Sequence, residues 1–547
     1  MIKKIVMNRA WKDEWMDSYE KDDAPIHSFY TYSPYQADHF VERAMQVDKM
    51  NRSISREQIA DVIANYMRVD LWNGAVQDNI AKLQDDRSLV VIAGQQAGLL
   101  GGPLYTIYKA ITAIQLAKRE EERLNRPVVP VFWIAGEDHD LEEVDHVHVI
   151  SDQNNVQKKR FHLKEDRKRY ISAYQIETNK IHNWLDELAF LLPDTIFKQD
   201  WLKQVKSWTT EPLSWSRFFA RLMHDLFAEE GLLIIDAADP GLRKLEAPFF
   251  QSLIQKHDAI DRVVRSTSYQ IEQLGYKRPV EFQSDQGHLF FIQENERLPL
   301  SVKGDMWETR NGAFRKTQDE LVLLAGTNPH LFSNNVITRP LMQEFLFPTL
   351  AFVGGPGEVK YWGLLKEAFT EMNLEMPIVY PRMHGQLIGR KIQKRLREFG
   401  LTGGESILDL HRQKTAWLQR QVPIDVDKQF SLFQSQIEML YEPLMHTLQE
   451  HIGHDVVALG AKNKQKVMAQ ASYYRMHVHK LIQEKHQTGL NHWVEIESHL
   501  WPNEQLQERM LGIIPIWNGC GLDWLRELKQ DLSLLEQDKG TQFVFYL

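Results

Sequence analysis

At 547 residues the chain is too long for one ordinary hydrophobic core, so two or three domains are expected; 43% hydrophobic and 25% charged residues are the proportions of a soluble globular protein. A formal net charge of −9 argues against nucleic acid as the main partner. The single cysteine, Cys520, excludes an internal disulfide and a thiolate-cluster zinc site, and the lack of a signal core or membrane-length apolar run points to the cytosol.

Residues 1 to about 85 mix aromatic and charged side chains, with a helical pattern from Arg56 to Trp72, and read as a lead-in layer packed on the sheet of the core. The organising stretch is Leu89 to Asp140. Leu89-Val90-Val91-Ile92-Ala93 has the length and β-branching of a buried strand. A glycine-rich turn follows, with Gly94, Gly98, Gly101 and Gly102, and then a helix pattern from Leu104 to about Leu124. Pro127 stops the helix, and a second buried strand, Val128 to Ala135, runs into Gly136-Glu137-Asp138-His139-Asp140. Strand, glycine turn, helix and strand form a βαβ unit whose site lies at the carboxyl edge of the sheet.

Beyond Asp140 the chain turns polar, with the basic run Lys158-Lys159-Arg160 and a mixed-charge run from Lys164 to Arg169, as expected of a solvated insertion over about 145–230. A helix pattern around Phe218 to Phe227 then feeds a buried strand ending at Asp236, with Pro240 at the next helix start. Residues 276–330 read as a second, β-rich insertion, with His288–Ile292 and Leu321–Leu324 as short strands. The parallel-sheet pattern resumes at Phe347–Val353. A second glycine turn, Gly354-Gly355-Pro356-Gly357-Glu358, precedes a helix from Val359 to about Met372, and Pro377–Arg382 is the last strand. The fold class is therefore α/β: a nucleotide-binding parallel-sheet core over residues 1–386, split by insertions. From 387 to 490, Phe433, Ile437, Leu440, Leu444 and Leu448, and Val467, Ala471, Tyr474, Val478 and Leu481, step by threes and fours, the seam of a helical hairpin or short α-helical coiled coil, with Pro443 kinking or breaking its first helix. Residues 491–547 are expected to fold back on the core.

Each piece of candidate chemistry has a bland reading beside it. Gly94, Gly98, Gly101 and Gly102 lie where amides at a helix start can face an anion, although the turn is neither a Walker loop nor a dinucleotide fingerprint, and tight packing would explain it equally well. Gln95, Gln96, Tyr105 and Lys109, in or just after the turn, suit a small polar ligand. Glu137, Asp138, His139 and Asp140 crowd four ionisable groups at a strand end, fit to bind an ammonium, accept sugar hydroxyls or relay a proton. The alternative is a hydrogen-bonded turn. A metal site extended through Asp145, His146 and His148 matches no named motif. Arg339 and Arg382 are candidates for a substrate carboxylate or phosphate, each equally open to a structural ion pair.

The segments Gly94–Leu100 with Gly102–Thr106, Pro130–Asp140, Asn335–Leu341 and Phe347–Phe352 with Gly355–Glu358 closely resemble the bacillithiol biosynthesis cysteine-adding enzymes, in order and over essentially the full chain. Gly101 stands where a threonine is expected in relatives. The resemblance implies a ligase step joining cysteine to glucosaminyl malate to give bacillithiol. It also implies connecting-peptide insertions in the Rossmann core, as in class I aminoacyl-tRNA synthetases, a homodimer built by the coiled-coil arm, and ATP or ADP as nucleotide. No metal is expected; the related cysteine ligase of mycothiol synthesis relies on zinc, which the cysteine count here does not support. On this reading Asp138 and Asp140 hold an ammonium or sugar hydroxyls and His139 accepts a proton. The Gly94–Gly102 amides with Lys109 face an anion, as do Gly354, Gly355 and Gly357. Arg339 and Arg382 take the malate carboxylates, with Gln95, Gln96, Tyr105, Trp133, Glu137, Asn335, Glu358 and Tyr361 around the substrates. Two other readings stand beside it: a metal-dependent hydrolase using the Glu137–His148 cluster, and a non-catalytic dimeric scaffold of the pathway.

Overall fold

Five apolar runs pair in parallel as one sheet in the computed structural model, which describes residues 2–9, 12–163, 169–401, 409–422, 424–536 and 540–547. The strands are β1 (Leu89–Gln95), β2 (Val128–Ile134), β3 (Leu233–Asp236), β4 (Thr349–Gly354) and β5 (Ile378–Pro381), in the spatial order β3-β2-β1-β4-β5. Apart from Gln95, the residues of β1 to β4 are all buried, which is why these strands are near-continuous apolar runs. The helix Tyr105–Leu124 returns the chain from β1 to β2 and packs on both. Helices of the first 85 residues, including Arg56–Met67 with its Ser55–Gln58 capping box, also pack on sheet strands. Strand order runs outward one way from β1 to β3 and the other way from β4 to β5. The crevice that opens between β1 and β4, at their carboxyl ends, is where ligands bind in open α/β sheets.

Between β2 and β3 lies an antiparallel hairpin, His146–Ile150 with Val156–Arg160, followed by the helices Thr178–Leu191 and Lys198–Ser207. Of the charged run beyond it, residues 164–168 lie outside the described residues. Between β3 and β4 a meander of four strands, Gln286–Gln293, Glu296–Lys303, Met306–Thr309 and Arg315–Thr317, is joined by Phe332–Asn334 against its first strand. Leu321–Leu324, expected as a strand, lies in the helix Gln318–Thr327: a Thr317–Glu320 capping box starts a helix there, and four apolar residues alone carry no period. The helix expected from Val359 to Met372 is two, Pro356–Trp362 and Lys366–Glu371, separated at Gly363. Lys3–Asn8, Thr541–Tyr546 and Gly385–Ile388 form a separate three-stranded sheet.

The compact units are residues 1–389 with 502–547, and residues 390–501. The arm boundary expected at 490 therefore moves past the helix Gln487–Leu500. Within the arm, Val426–Ile452 and Asp455–Lys485 pack as a helical hairpin. Pro443 does not end the first helix, which runs on through it. The seam is also shifted. Phe430 and Ala471 are buried and Ile437, Leu448, Val467 and Val478 half-buried, whereas Phe433, Leu440, Leu444, Tyr474 and Leu481 are exposed. Steps of three and four fit two adjacent stripes of one helix equally well, and only the pairing decides which stripe turns inward. Among the described residues no helix is long and apolar enough to cross a membrane.

Candidate active site

A cavity of about 640 Å³ occupies the crevice between β1 and β4. Gly94, Gln95 and Gln96 reach it from the end of β1, and Trp133, Glu137, Asp138 and His139 from the end of β2. Asn335, Arg339, Gly355, Gly357, Glu358, Tyr361 and Arg382 line it from the second glycine turn and its surroundings, with Tyr105 and Lys109 from the helix after β1. The two distant glycine turns thus open onto one space beside His139. Phe290 and Arg297, from the second insertion, Asn334 and Val336, just after it, and Arg509, from the C-terminal segment, also line it.

Lys109 stitches the two turns together. Its buried Nζ donates to Gly94 O and Gln95 Oε1, both at 2.8 Å, and pairs with Glu358, whose Oε2 accepts the Gly355 amide at 2.8 Å. Burial pulls the ammonium below the usual lysine range, and Glu358 partly restores it. Lys109 is a brace, and the anion-binding role expected of it has no geometry behind it. The same holds for the first glycine turn. The amide of Gly98 donates to Gln96 O, that of Gly101 to Gly98 O and that of Gly102 to Leu99 O, at 2.8, 3.0 and 3.1 Å. Gly98, Gly101, Gly102 and Gly354 do not line the cavity. A Cβ on Gly98 would sit 2.7 Å from Gly102 Cα, and Gly101 and Gly102 have φ of 88° and 64°, so tight packing accounts for these glycines.

Asp138, His139 and Arg297 form the charged centre. Arg297 Nη1 donates to Asp138 Oδ1 at 3.1 Å and lies 3.2 Å from His139 Nδ1, with its guanidinium carbon 3.7 Å from the centre of the Phe290 ring. Gln96 Nε2 donates to Asp138 Oδ2 at 2.7 Å. Burial works against the charged Asp138, but Arg297 and these hydrogen bonds outweigh it and hold the carboxyl below the usual range. Because a guanidinium only donates, Nδ1 of His139 is the acceptor and the neutral ring carries its proton on Nε2. Glu137 is buried and pairs with Arg243, which also donates to Glu246 at 2.6 Å; burial pushes Glu246 up to about 7. Asp140 is exposed, outside the cavity, and caps a short helix by accepting the Glu142 amide at 3.1 Å.

The two arginines part company. Arg339 donates to Tyr361 Oη at 3.1 Å and, among the described residues, has no carboxylate within ion-pairing distance. Arg382 donates to Glu508 Oε1 at 2.7 Å and to Met383 O at 2.8 Å, a buried structural pair in place of the expected ligand contact. The adjacent asparagines divide likewise. Asn335 Oδ1 accepts the amides of Ile337 and Thr338 at 2.8 and 3.0 Å, so it shapes the chain before the helix Thr338–Leu346. Asn334 has no partner for either side-chain atom. His146 rests against Asp145 at 3.2 Å, and among the described residues no group of three or more His, Cys, Asp or Glu could hold a metal ion.

Two family models cover almost the whole chain: the Bacillithiol biosynthesis BshC N-terminal Rossmann-like domain matches residues 1–383, and the BshC C-terminal coiled-coil domain matches residues 385–540. The chain belongs to the BshC family. Relatives bearing the name "Putative cysteine ligase BshC" include one from Geobacillus kaustophilus, 35% identical over 96% of both chains. One from Bacillus licheniformis is 36% identical over 88% of this chain and 89% of its own, and one from Lysinibacillus sphaericus 33% identical over 96% of both.

In this BshC chain five polar cavity residues lie outside the expected set: Gln286, Arg297, Asn334, Gln343 and Arg509. Arg297 comes from the strand Glu296–Lys303 of the second insertion, 158 positions from His139. Only the antiparallel pairing of that insertion brings it to the cavity, and a lone arginine in a polar strand carries no signal of such a destination. Asn334 was visible as half of an Asn-Asn pair, with nothing to say which member would stay unpaired.

Proposed function

We propose that this BshC-family chain is a ligase that joins the carboxyl of cysteine to the amine of glucosaminyl malate, making the amide bond of bacillithiol, with ATP supplying the activation of the carboxyl. The observation that carries the reading is that an arginine lacking a carboxylate partner, Arg339, faces the same cavity as the His139–Asp138–Arg297 centre, at the switch point of the sheet. Arg339 takes a malate carboxylate, in the two-bond geometry a guanidinium favours. The sugar amine must be neutral to attack. As the new C–N bond forms and the activating group leaves, the amine gives up a proton, which His139 takes at Nδ1 once that nitrogen has turned from Arg297 to the amine. Asp138 then stabilises the imidazolium. The amides of Gly98, Gly101 and Gly102 do not fit a nucleotide phosphate, because they are spent on the turn's own carbonyls, and no step is routed through the nucleotide. A cytosolic location accords with the single cysteine.

Mass spectrometry of the purified chain incubated with cysteine, glucosaminyl malate and ATP is expected to show bacillithiol together with AMP or ADP. His139→Ala is expected to slow its formation at least about 100-fold. No bacillithiol from the parent chain would favour a scaffold role, and an unchanged rate in the variant would remove His139 from the mechanism.

We also propose that the arm makes a homodimer. Leu432, Phe433, Met439, Leu440 and Leu444 leave one helix of the hairpin with an exposed apolar face, which a second copy would cover. Light scattering is expected to give a dimer for the parent and a monomer for Leu440→Glu. A monomeric parent would overturn this assignment.

A further inference from the structure

Asn334 is 1% exposed, yet neither Nδ2 nor Oδ1 of its side chain has a hydrogen-bond partner. Buried side-chain amides are paired in the great majority of cases, so an amide empty at both ends calls for an explanation. Its surroundings hold it in place. Its own N–H donates to Glu137 Oε2 at 3.3 Å, and its own carbonyl accepts Arg297 Nη2. With the main chain held on both sides, the residue lines the cavity at the end of the strand Phe332–Asn334, its amide buried in the cavity wall. Trp133 also lines the cavity, is 1% exposed, and has no partner for its indole Nε1–H.

We propose that Asn334, with Trp133, is the specificity-determining contact that reads hydroxyls of the sugar portion of the acceptor substrate, a reading that rests on the ligase assignment. The chemistry of the vacant groups selects the ligand. Asn334 Oδ1 needs a donor, which excludes an ionised carboxylate or a phosphate as its sole partner. Nδ2 and the Trp133 indole need acceptors, which an ammonium is not. A hydroxyl gives and accepts at once, so sugar hydroxyls can meet the amide oxygen, the amide nitrogen and the indole alike. No local charge competes for the position, because Glu137 is occupied by Arg243, and Arg297 by Asp138 and the Asn334 carbonyl. Recognition is thus divided, with Arg339 on the carboxylate and Asn334 on the neutral polyol. An analogue lacking those hydroxyls would leave the buried amide unpaired, which is how a hydrogen-bonded site rejects it.

The test is Asn334→Leu, similar in size and without polar atoms, together with the shorter hydroxyl variant Asn334→Ser, each in the full-length chain. In calorimetric titration with glucosaminyl malate, Asn334→Leu is expected to bind 10- to 100-fold more weakly than the parent, and Asn334→Ser less weakly than that. Without ligand, Asn334→Leu is expected to melt at or above the parent temperature, because an unpaired buried amide has been removed; an asparagine kept for structure would give the opposite shift. Binding by Asn334→Leu within twofold of the parent, or a melting temperature several degrees lower, overturns the proposal. A parent chain that makes bacillithiol while Asn334→Leu binds unchanged sinks this proposal alone. A parent chain that neither binds glucosaminyl malate nor turns it over sinks the ligase reading, and this one with it.

Discussion

Replacing Arg339 with alanine is expected to remove most of the affinity for the malate-bearing substrate while leaving the fold intact. Its guanidinium lines the cavity and donates to the Tyr361 hydroxyl; among the described residues no carboxylate lies within ion-pairing distance, although Glu358 and Glu137 are near enough to favour its charge. Truncating one partner of a hydrogen-bonded, desolvated charge pair costs about 2–5 kcal/mol, or roughly 30- to 5,000-fold in kcat/KM. The loss should fall on the KM for glucosaminyl malate and spare that for cysteine, since the interaction is made with the bound carboxylate before and during reaction alike. Lysine at this position should recover only part of it, because an ammonium cannot reproduce two parallel N–H bonds. The melting temperature should stay close to that of the parent. Steady-state kinetics decide the matter: an Arg339→Ala chain with both KM values unchanged would move the carboxylate site elsewhere.

Arg382→Ala should do the opposite. Arg382 Nη2 donates to Glu508 Oε1 at 2.7 Å, His384 Nδ1 lies 2.9 Å from the same oxygen, and Glu508 Oε2 accepts the Gly385 amide at 3.1 Å. Burial opposes the charged carboxyl, but Arg382 and His384 outweigh it and hold Glu508 far below the usual glutamate range. Removing the guanidinium leaves that carboxylate buried without its main partner, at a cost of about 3–5 kcal/mol. The pH dependence has a definite sign. A carboxyl whose folded pKa is depressed stabilises the fold above its unfolded value near 4.5, and the contribution fades as pH falls below it. The melting gap between the parent and Glu508→Gln should therefore be full at pH 7 and close as the pH drops below about 4.5. Burial also depresses His384, so it costs stability in the same direction from near pH 6.5 downwards. An Arg382→Ala chain that melts like the parent but binds substrate poorly would make this residue a ligand contact after all.

The contrast between these arginines marks how far the amino-acid order reaches. β1, β2, β3 and β4 were legible because a strand covered on both faces has to be a short apolar run. The turns after β1 and β4 were legible from their glycines. That the two turns meet follows from short right-handed crossovers, which leave few ways to order such strands. The cavity was thereby placed beside His139 without any coordinates.

What each polar side chain does in that cavity belongs to the tertiary structure. Arg382 is spent on Glu508 and Asn335 on the turn before its helix, while Arg339 and Asn334 are left facing the ligand space. Lys109 braces two loops, and Arg297 arrives from an inserted sheet. Hydrophobic period and turn chemistry are local properties and can be read along the chain. Whether Arg382 and Lys109 are satisfied depends on Glu508 and Glu358, more than 100 positions away, and packing alone brings those partners within reach.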